Sequence, residues 1–215
     1  MKPTVKFKYV RFAVLAALVG VPFMSQAQAP QTGIRGGANL SNLFVNDANN
    51  ESARFGFHAG LYTQIPIKYN FYLQPEVQYS TRGAEAERGN IPASGTYGIN
   101  LNYLDVPVLG TFKLGSDAEV SVGPYASYLL NASSSYEGDA VEFSTQLDKD
   151  NFRNFDFGLT AGFALIFGRV NVGTRYSFGF IQLAESPAAE AVLGNATNAT
   201  GQVTVGFNLA GGEGN

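Results

Sequence analysis

Apolar and polar residues alternate one by one along eight separate stretches of this sequence, and almost nothing else in it is periodic. The stretch "RFGFHAGLYTQIP" (54–66) shows the pattern well. Phe55, Phe57, Ala59, Leu61 and Ile65 share one parity with Thr63, while Gly56, His58, Gly60, Tyr62 and Gln64 share the other. A period of two is that of a β-strand whose faces meet different surroundings. The same alternation recurs at 33–42, 71–80, 103–113, 120–130, 155–167, 169–179 and 202–209. The expectation is an all-β chain of eight antiparallel strands in up-and-down order. Only "AESPAAEAVLG" (184–194) suggests a helix, and a short one.

The connections between these strands alternate in length. They are long at 43–53, 81–99, 131–151 and 181–201, and short at 66–70, 114–118 and 168–169. Short turns at one end and long loops at the other are the habit of a transmembrane β-barrel. With eight strands both termini then lie at the short-turn, periplasmic end. A soluble barrel with its apolar face inward has the same strand count, so the composition of the polar face decides. It is built from Gly, Ser, Thr, Asn, Gln and Tyr with a few single charges, which suits the crowded inside of an eight-stranded barrel. The apolar face is almost free of charge and places Phe55, Phe71, Tyr79, Phe112, Tyr128, Phe155, Phe167, Tyr176 and Phe178 toward strand ends, as interfacial girdles require. Pro75, Pro107 and Pro124 each lack a ladder donor and predict bulges or strand ends.

The segment 1–27 reads as a cleaved signal peptide. Lys2, Lys6, Lys8 and Arg11 precede the apolar run "FAVLAALVGVPFM" (12–24), and "SQA" (25–27) supplies small residues for cleavage. The barrel domain is then expected over 28–210, with a flexible tail over 211–215. The leader holds four of the 14 basic residues and no acid, so 10 basic residues then face 17 acidic ones, a net of −7. That balance argues against a nucleic-acid partner. The chain has no Cys, so neither a disulfide nor a thiolate metal site is expected.

Several segments also resemble a known family. "GIRGGANLSNL", "FYLQPEVQYSTRGA", "LNYLDVPVLGTFKL", "VGPYASYLL", "FDFGLTAGFAL" and "VGTRYSFGF" follow the order found in the PorT-like family, small outer-membrane barrels of Bacteroidetes-type bacteria. The resemblance spans about residues 32–209 and is most specific at "YLDVPVL" and "LQPEVQYS". It implies the same fold and location, with outer-membrane lipids and envelope or secretion-complex proteins as partners. It implies little about activity. One departure is the ending "VGFNLAGGEGN", which puts any terminal aromatic or apolar assembly signal inside the chain, at Phe207 or Leu209.

Candidate chemistry is sparse. The inward parity carries Arg35, Lys113 and Arg175 against Glu76, Asp105 and Asp156, with His58, the single histidine, among them. Charges inside a narrow barrel must be paired or hydrated. Their reading is an internal polar network that plugs the lumen, and the rival reading is a gate in a narrow passive channel. A second rival is a lipid-modifying enzyme with His58 as base, Ser41 or Ser80 as nucleophile and Glu76 as acid. The expectation is no enzyme, no catalytic or metal residues and no cofactor. "DKDNF" (148–152) begins like a calcium loop but lacks its glycine and closing Glu. A structural or binding role carried by the long loops is therefore the functional expectation.

Overall fold

The computed structural model describes residues 29–44, 51–88, 95–138, 142–147, 153–182 and 197–210. The expected signal peptide, the expected short helix at 184–194, the segment 148–152 and the expected C-terminal tail fall outside the described residues.

Among the described residues there are nine strands: β1 (Gln31–Phe44), β2 (Glu51–Lys68), β3 (Phe71–Arg88), β4 (Gly95–Leu114), β5 (Ala118–Gly138), β6 (Glu142–Gln146), β7 (Phe155–Phe167), β8 (Val170–Gln182) and β9 (Thr197–Ala210). Eight of them form a closed antiparallel barrel, each paired with its neighbour in sequence, with β1 and β9 closing the ring from Thr32–Ala210 to Phe44–Thr197. β6 is not a barrel strand. It pairs with β5 alone, over Ser133–Gln146 to Glu137–Glu142.

The short connections sit at one end, together with Gln31 and Ala210. β2 turns into β3 through Tyr69 and Asn70. Tyr69 holds a positive φ of 47°, and Asn70 is tied to the end of β4 by Lys113 N–H donating to Asn70 O and Asn70 Nδ2 donating to Lys113 O. The other two turns each start on a glycine with positive φ, Gly115 at 70° and Gly168 at 61°, a conformation that costs glycine no steric clash.

The burial pattern answers which face meets which surroundings. β7 alternates strictly, with Phe155, Phe157, Leu159, Phe163, Leu165 and Phe167 exposed and Asp156, Gly158 and Thr160 buried. Across the described residues 30 large apolar side chains are exposed, far more than a water-facing surface of this size carries. Aromatic pairs cluster near the long-connection end: Phe57–Tyr79 at 5.8 Å, Tyr128–Phe155 at 5.0 Å and Phe157–Phe180 at 6.4 Å between ring centroids. The outer wall is a lipid-facing belt, and the buried row is the inside of the barrel.

Three expectations are corrected. First, strands run well into stretches read as loops: β3 continues to Arg88, β4 begins at Gly95 and β5 reaches Gly138. These extensions lack apolar alternation because neither of their faces needs to meet lipid, so the period-two signal stops before the hydrogen-bond ladder does. Second, the prolines do not end or bulge the strands. The β3–β4 ladder stops at Pro75–Val108 and resumes at Gln78–Asp105; the β4–β5 ladder stops at Pro107–Tyr125 and resumes at Gly110–Val122, both in unchanged register. Missing N–H groups remove bonds while the strands stay aligned, and Pro124 pairs with Leu159 in an unbroken ladder. Third, the interior is not wholly polar: Leu101, Leu109, Leu129 and Ala132 are fully buried, as is Tyr103.

Candidate functional site in the barrel interior

Inward positions of all eight barrel strands meet in a space that side chains fill. Nearest the short turns, Lys113 is half-buried. Its Nζ donates to Gln31 Oε1 at 3.2 Å. The same Nζ lies 4.5 Å from the Tyr72 ring centroid, a cation–π contact. The structure therefore sets Lys113 apart from the acids it was grouped with.

Above it lies a clasp around Glu76 of β3. Arg175 of β8 donates from Nη1 to Oε2 at 2.6 Å and from Nη2 to Oε1 at 2.7 Å. This is a bidentate fork. Arg35 of β1 donates from Nη1 to Oε1 at 2.5 Å, and Gln74 Nε2 donates to the same oxygen at 2.5 Å. Glu76 thus joins three strands that are distant in sequence. Gln64 extends the layer downward, donating to Gln74 Oε1 at 2.7 Å and Glu119 Oε2 at 2.9 Å. Sideways, Asn171 Nδ2 donates to Tyr62 OH at 2.9 Å, and Tyr62 OH donates to Asn208 Oδ1. Arg35 lies 4.5 Å from the Tyr62 ring centroid.

A second ion cluster lies nearer the long-connection end. Arg82 donates from Nη2 to Asp105 Oδ2 at 2.6 Å and from Nη1 to Asp156 Oδ2 at 3.5 Å. Tyr125 OH and Asn198 Nδ2 also donate to Asp156 Oδ2, at 3.1 and 2.8 Å. Arg82 stacks on Tyr103 and Tyr125, 5.1 and 5.4 Å from their centroids. The arrangement therefore brings Arg35, Glu76 and Arg175 into one cluster and Asp105 and Asp156 into another. The cation of the second cluster, Arg82, and the acid Glu119 of the first lie outside the sequence-based expectation. Continuing the inward parity Glu76, Gln78, Ser80 by one more step reaches Arg82; stepping back from Ser121 reaches Glu119.

His58 stands between the two clusters in an amide network. Its Nδ1 lies 2.7 Å from Asn39 Oδ1, which also accepts from Gln202 Nε2 at 3.0 Å; Asn39 Nδ2 donates to Ser80 Oγ at 3.1 Å. Ser41 Oγ donates to the Gly83 carbonyl at 3.1 Å. His58 thus contacts an amide rather than a serine or Glu76, and Glu76 is taken up by two arginines. The Ser–His–Glu arrangement weighed from the sequence is not assembled. Among the described residues no cluster of His, Asp and Glu able to hold a metal ion occurs.

Little room remains. A cavity lined by Arg35, Glu119, Ser121, Arg175 and Thr204 among others measures about 10 Å³. That is space for one water molecule.

An eight-stranded antiparallel barrel with an apolar exterior and a filled polar interior is a transmembrane β-barrel. Residues 25–185 match the family described as an outer membrane protein beta-barrel domain, and the chain belongs to that family. It is an integral protein of the bacterial outer membrane, embedded in the lipid bilayer. No curated protein matches the sequence. Similar solved structures include Neisserial surface protein A (11% identity, 85% of this chain and 100% of that one, TM-score 0.49). Ail, the attachment invasion locus protein of Yersinia pestis, solved with the heparin analogue sucrose octasulfate, is also similar (11%, 83% and 97%, TM-score 0.45). So is the outer membrane protein OprG from Pseudomonas aeruginosa (12%, 84% and 96%, TM-score 0.44). None of these likenesses bears on what this chain binds.

Proposed function

We propose that this protein is a non-conducting, non-catalytic outer-membrane barrel of the PorT-like type, exported by the signal peptide at 1–27. Both termini lie in the periplasm, and its rim of long connections engages an envelope partner. The observation that carries this reading is the filled interior. Two guanidinium–carboxylate clusters and an amide layer between them span the lumen with direct side-chain bonds. A barrel closed in this way is a scaffold, and a scaffold acts through what it displays. Among the described residues what it displays is one-sided: β2 to β5 extend beyond β7 and β8, and β6 widens the sheet they form.

Two measurements test the reading. Reconstituted in planar bilayers, the protein is expected to give no steady single-channel current; a stable open level would support the narrow channel instead. In native membranes, photo-crosslinkers placed at Thr145 and Gln146 of β6 are expected to capture a discrete envelope protein. If they capture only lipid, and β6 can be deleted without consequence, the binding role fails.

A further inference from the structure

Asn102 pairs with Asn131 and Tyr103 with Leu129, so Leu130 is an extra residue and β5 bulges there. Around this bulge β5 exchanges one neighbour for another. β7 leaves it at Tyr128–Phe155, and β6 joins it from Ser133–Gln146 to Glu137–Glu142. β6 is the last strand of the sheet, and among the described residues nothing pairs with its other side. The phase of the ladder fixes which backbone groups that side carries. Leu147 N–H donates to Ala132 O at 3.0 Å, so Ala132–Leu147 is a hydrogen-bonded pair. Bonded and non-bonded pairs alternate in an antiparallel ladder. Ser134–Thr145 and Tyr136–Phe143 are then bonded, while Ser133–Gln146, Ser135–Ser144 and Glu137–Glu142 are not. The N–H and C=O groups of Glu142, Ser144 and Gln146 therefore point away from β5, toward the open side. Ser144, Thr145 and Gln146 are exposed. Folded proteins blunt such an edge with Lys, Pro or a bulge. The strand "EFSTQ" has no Lys or Pro, its register with β5 is unbroken, and its one acidic residue, Glu142, stands at the end.

An edge of this kind is satisfied by another extended strand, and symmetry selects which one. A second copy in the same membrane presents β6 in the same direction. Two identical edges that run parallel about a two-fold axis carry their donors and acceptors at the same heights, whereas a parallel ladder needs them offset by one residue. A copy in a facing membrane presents β6 in the opposite direction. Identical antiparallel edges are self-complementary about a two-fold axis. Ser144 then falls opposite Ser144 of the second copy and Gln146 opposite Glu142, so no like charges meet. We infer that the open edge of β6 pairs with β6 of a second copy in a facing outer membrane, joining the two membranes through antiparallel backbone hydrogen bonds. The inference rests on the proposed binding role and orientation, and it names the partner. Edges of five residues form about six such bonds and bury far less than the ~1,000 Å² of a stable interface. A single pair is therefore transient, and contact between membranes depends on many pairs acting together.

The test uses the full chain reconstituted in phosphatidylcholine vesicles. Wild-type vesicles are expected to tether one another, read by light scattering as growth in particle size, and to leave protein-free vesicles untethered. Absence of tethering overturns the inference; capture of a different envelope protein at Thr145 or Gln146 then leaves the binding role standing. Ser144→Pro/Gln146→Pro removes only N–H groups on the open side, where an edge strand accepts proline. Tethering by this variant is expected to fall by at least about tenfold, as the loss of two ordinary hydrogen bonds gives. Ser144→Ala/Gln146→Ala keeps the backbone donors and is expected to tether as the wild type does. Equal tethering by the proline variant, or an equal loss in the alanine variant, overturns the strand pairing. Folding is checked by the shifted mobility of each variant in unheated gels. If the proline variant loses that mobility, Ser144→Lys takes its place. Two lysines then face each other across the two-fold axis, so tethering is expected to fall, and mixing with Ser144→Glu vesicles is expected to restore it. No fall, or no restoration, overturns the pairing. Because the native sequence has no cysteine, Ser144→Cys also gives a single site for a membrane-impermeant maleimide. Labelling of intact cells is expected, and labelling only after permeabilisation overturns the orientation and the pairing together.

Discussion

The wall made by β3, β4 and β5 and the wall made by β7 and β8 solve the same problem differently. β7 and β8 are each 13 residues long and alternate almost without fault, apolar out and polar in. Their ladder runs from Gly158–Gly179 to Phe167–Val170 in one register. β3, β4 and β5 are 18, 20 and 21 residues long. They carry Pro75, Pro107 and Pro124 on adjacent rows, skip ladder pairs there, and bulge at Leu130. Among the described residues the short wall does no more than cross the bilayer. The tall wall crosses it and then builds a sheet above it. A strand that only crosses is fully specified by two solvents, lipid outside and a packed lumen inside. A strand that emerges must change its rule at the surface, and the irregularities lie along its course.

The walls are tied through their interior charges, and this tie carries the largest expected effect. Glu76 of the tall wall holds Arg175 of the short wall and Arg35 of β1. Glu76→Ala removes the carboxylate that both buried guanidinium groups bond and leaves only Glu119 of the same cluster near them, and breaking a buried pair from one side costs ~3–5 kcal/mol. Denaturant unfolding of the reconstituted protein is expected to show a loss of that size. Glu76→Gln, which keeps a hydrogen-bonding oxygen, should lose less. If Glu76→Ala cost under about 1 kcal/mol, the walls would not be joined by this clasp.

The next effect separates the walls by depth. Val203 of β9 faces outward at mid-height, paired with Ala38 and Thr174. Val203→Arg is expected to cost ~2–4 kcal/mol, and Asn131→Arg, above the belt on the tall wall, ~0–1 kcal/mol. Equal penalties would mean that the bilayer reaches beyond the bulge. A third substitution probes how closely the short wall packs. A Cβ at Gly158 would come within 1.9 Å of the Phe178 carbonyl oxygen, so Gly158→Ala must shift the backbone of β7 or β8. Overpacking of this kind costs ~1–3 kcal/mol, read from the same unfolding transition.

This contrast also explains how much is legible in the sequence. The eight strands are readable because each crosses between unlike surroundings, so its side chains must alternate. The inward placement of Arg35, Glu76, Asp105, Asp156 and Arg175 follows from parity alone. Their grouping does not. Glu76 meets an arginine 99 residues away because of how the barrel closes and staggers, and no local pattern records that. Arg82 and Glu119 lie just past the strand ends that the pattern marks, and the extensions of β3 to β6 lie where alternation has no cause. The prolines mislead in the other direction. They signal broken hydrogen bonds truly, but neighbouring strands on both sides hold the backbone in line, so no change of register follows.

The smallest expected effect tests that last point. Val108 and Pro124 fall on a row from which the β4–β5 ladder is absent, although the rows on either side share one register. In lipid an unpaired backbone group has no water to turn to, so the row is a local weakness in the tall wall. Pro124→Ala supplies an N–H where the strands are already aligned. It also loosens the unfolded chain, which offsets part of the gain. The net change in stability is therefore expected to stay within about 1 kcal/mol. The sharper readout is hydrogen exchange. In the variant the amides of residues 108–110, 122 and 123 should exchange more slowly than in the parent, approaching those of the unbroken β7–β8 ladder. If exchange there is unchanged, the missing pairs come from the curvature of the tall wall rather than from proline, and the difference between the walls belongs to the shape of the barrel.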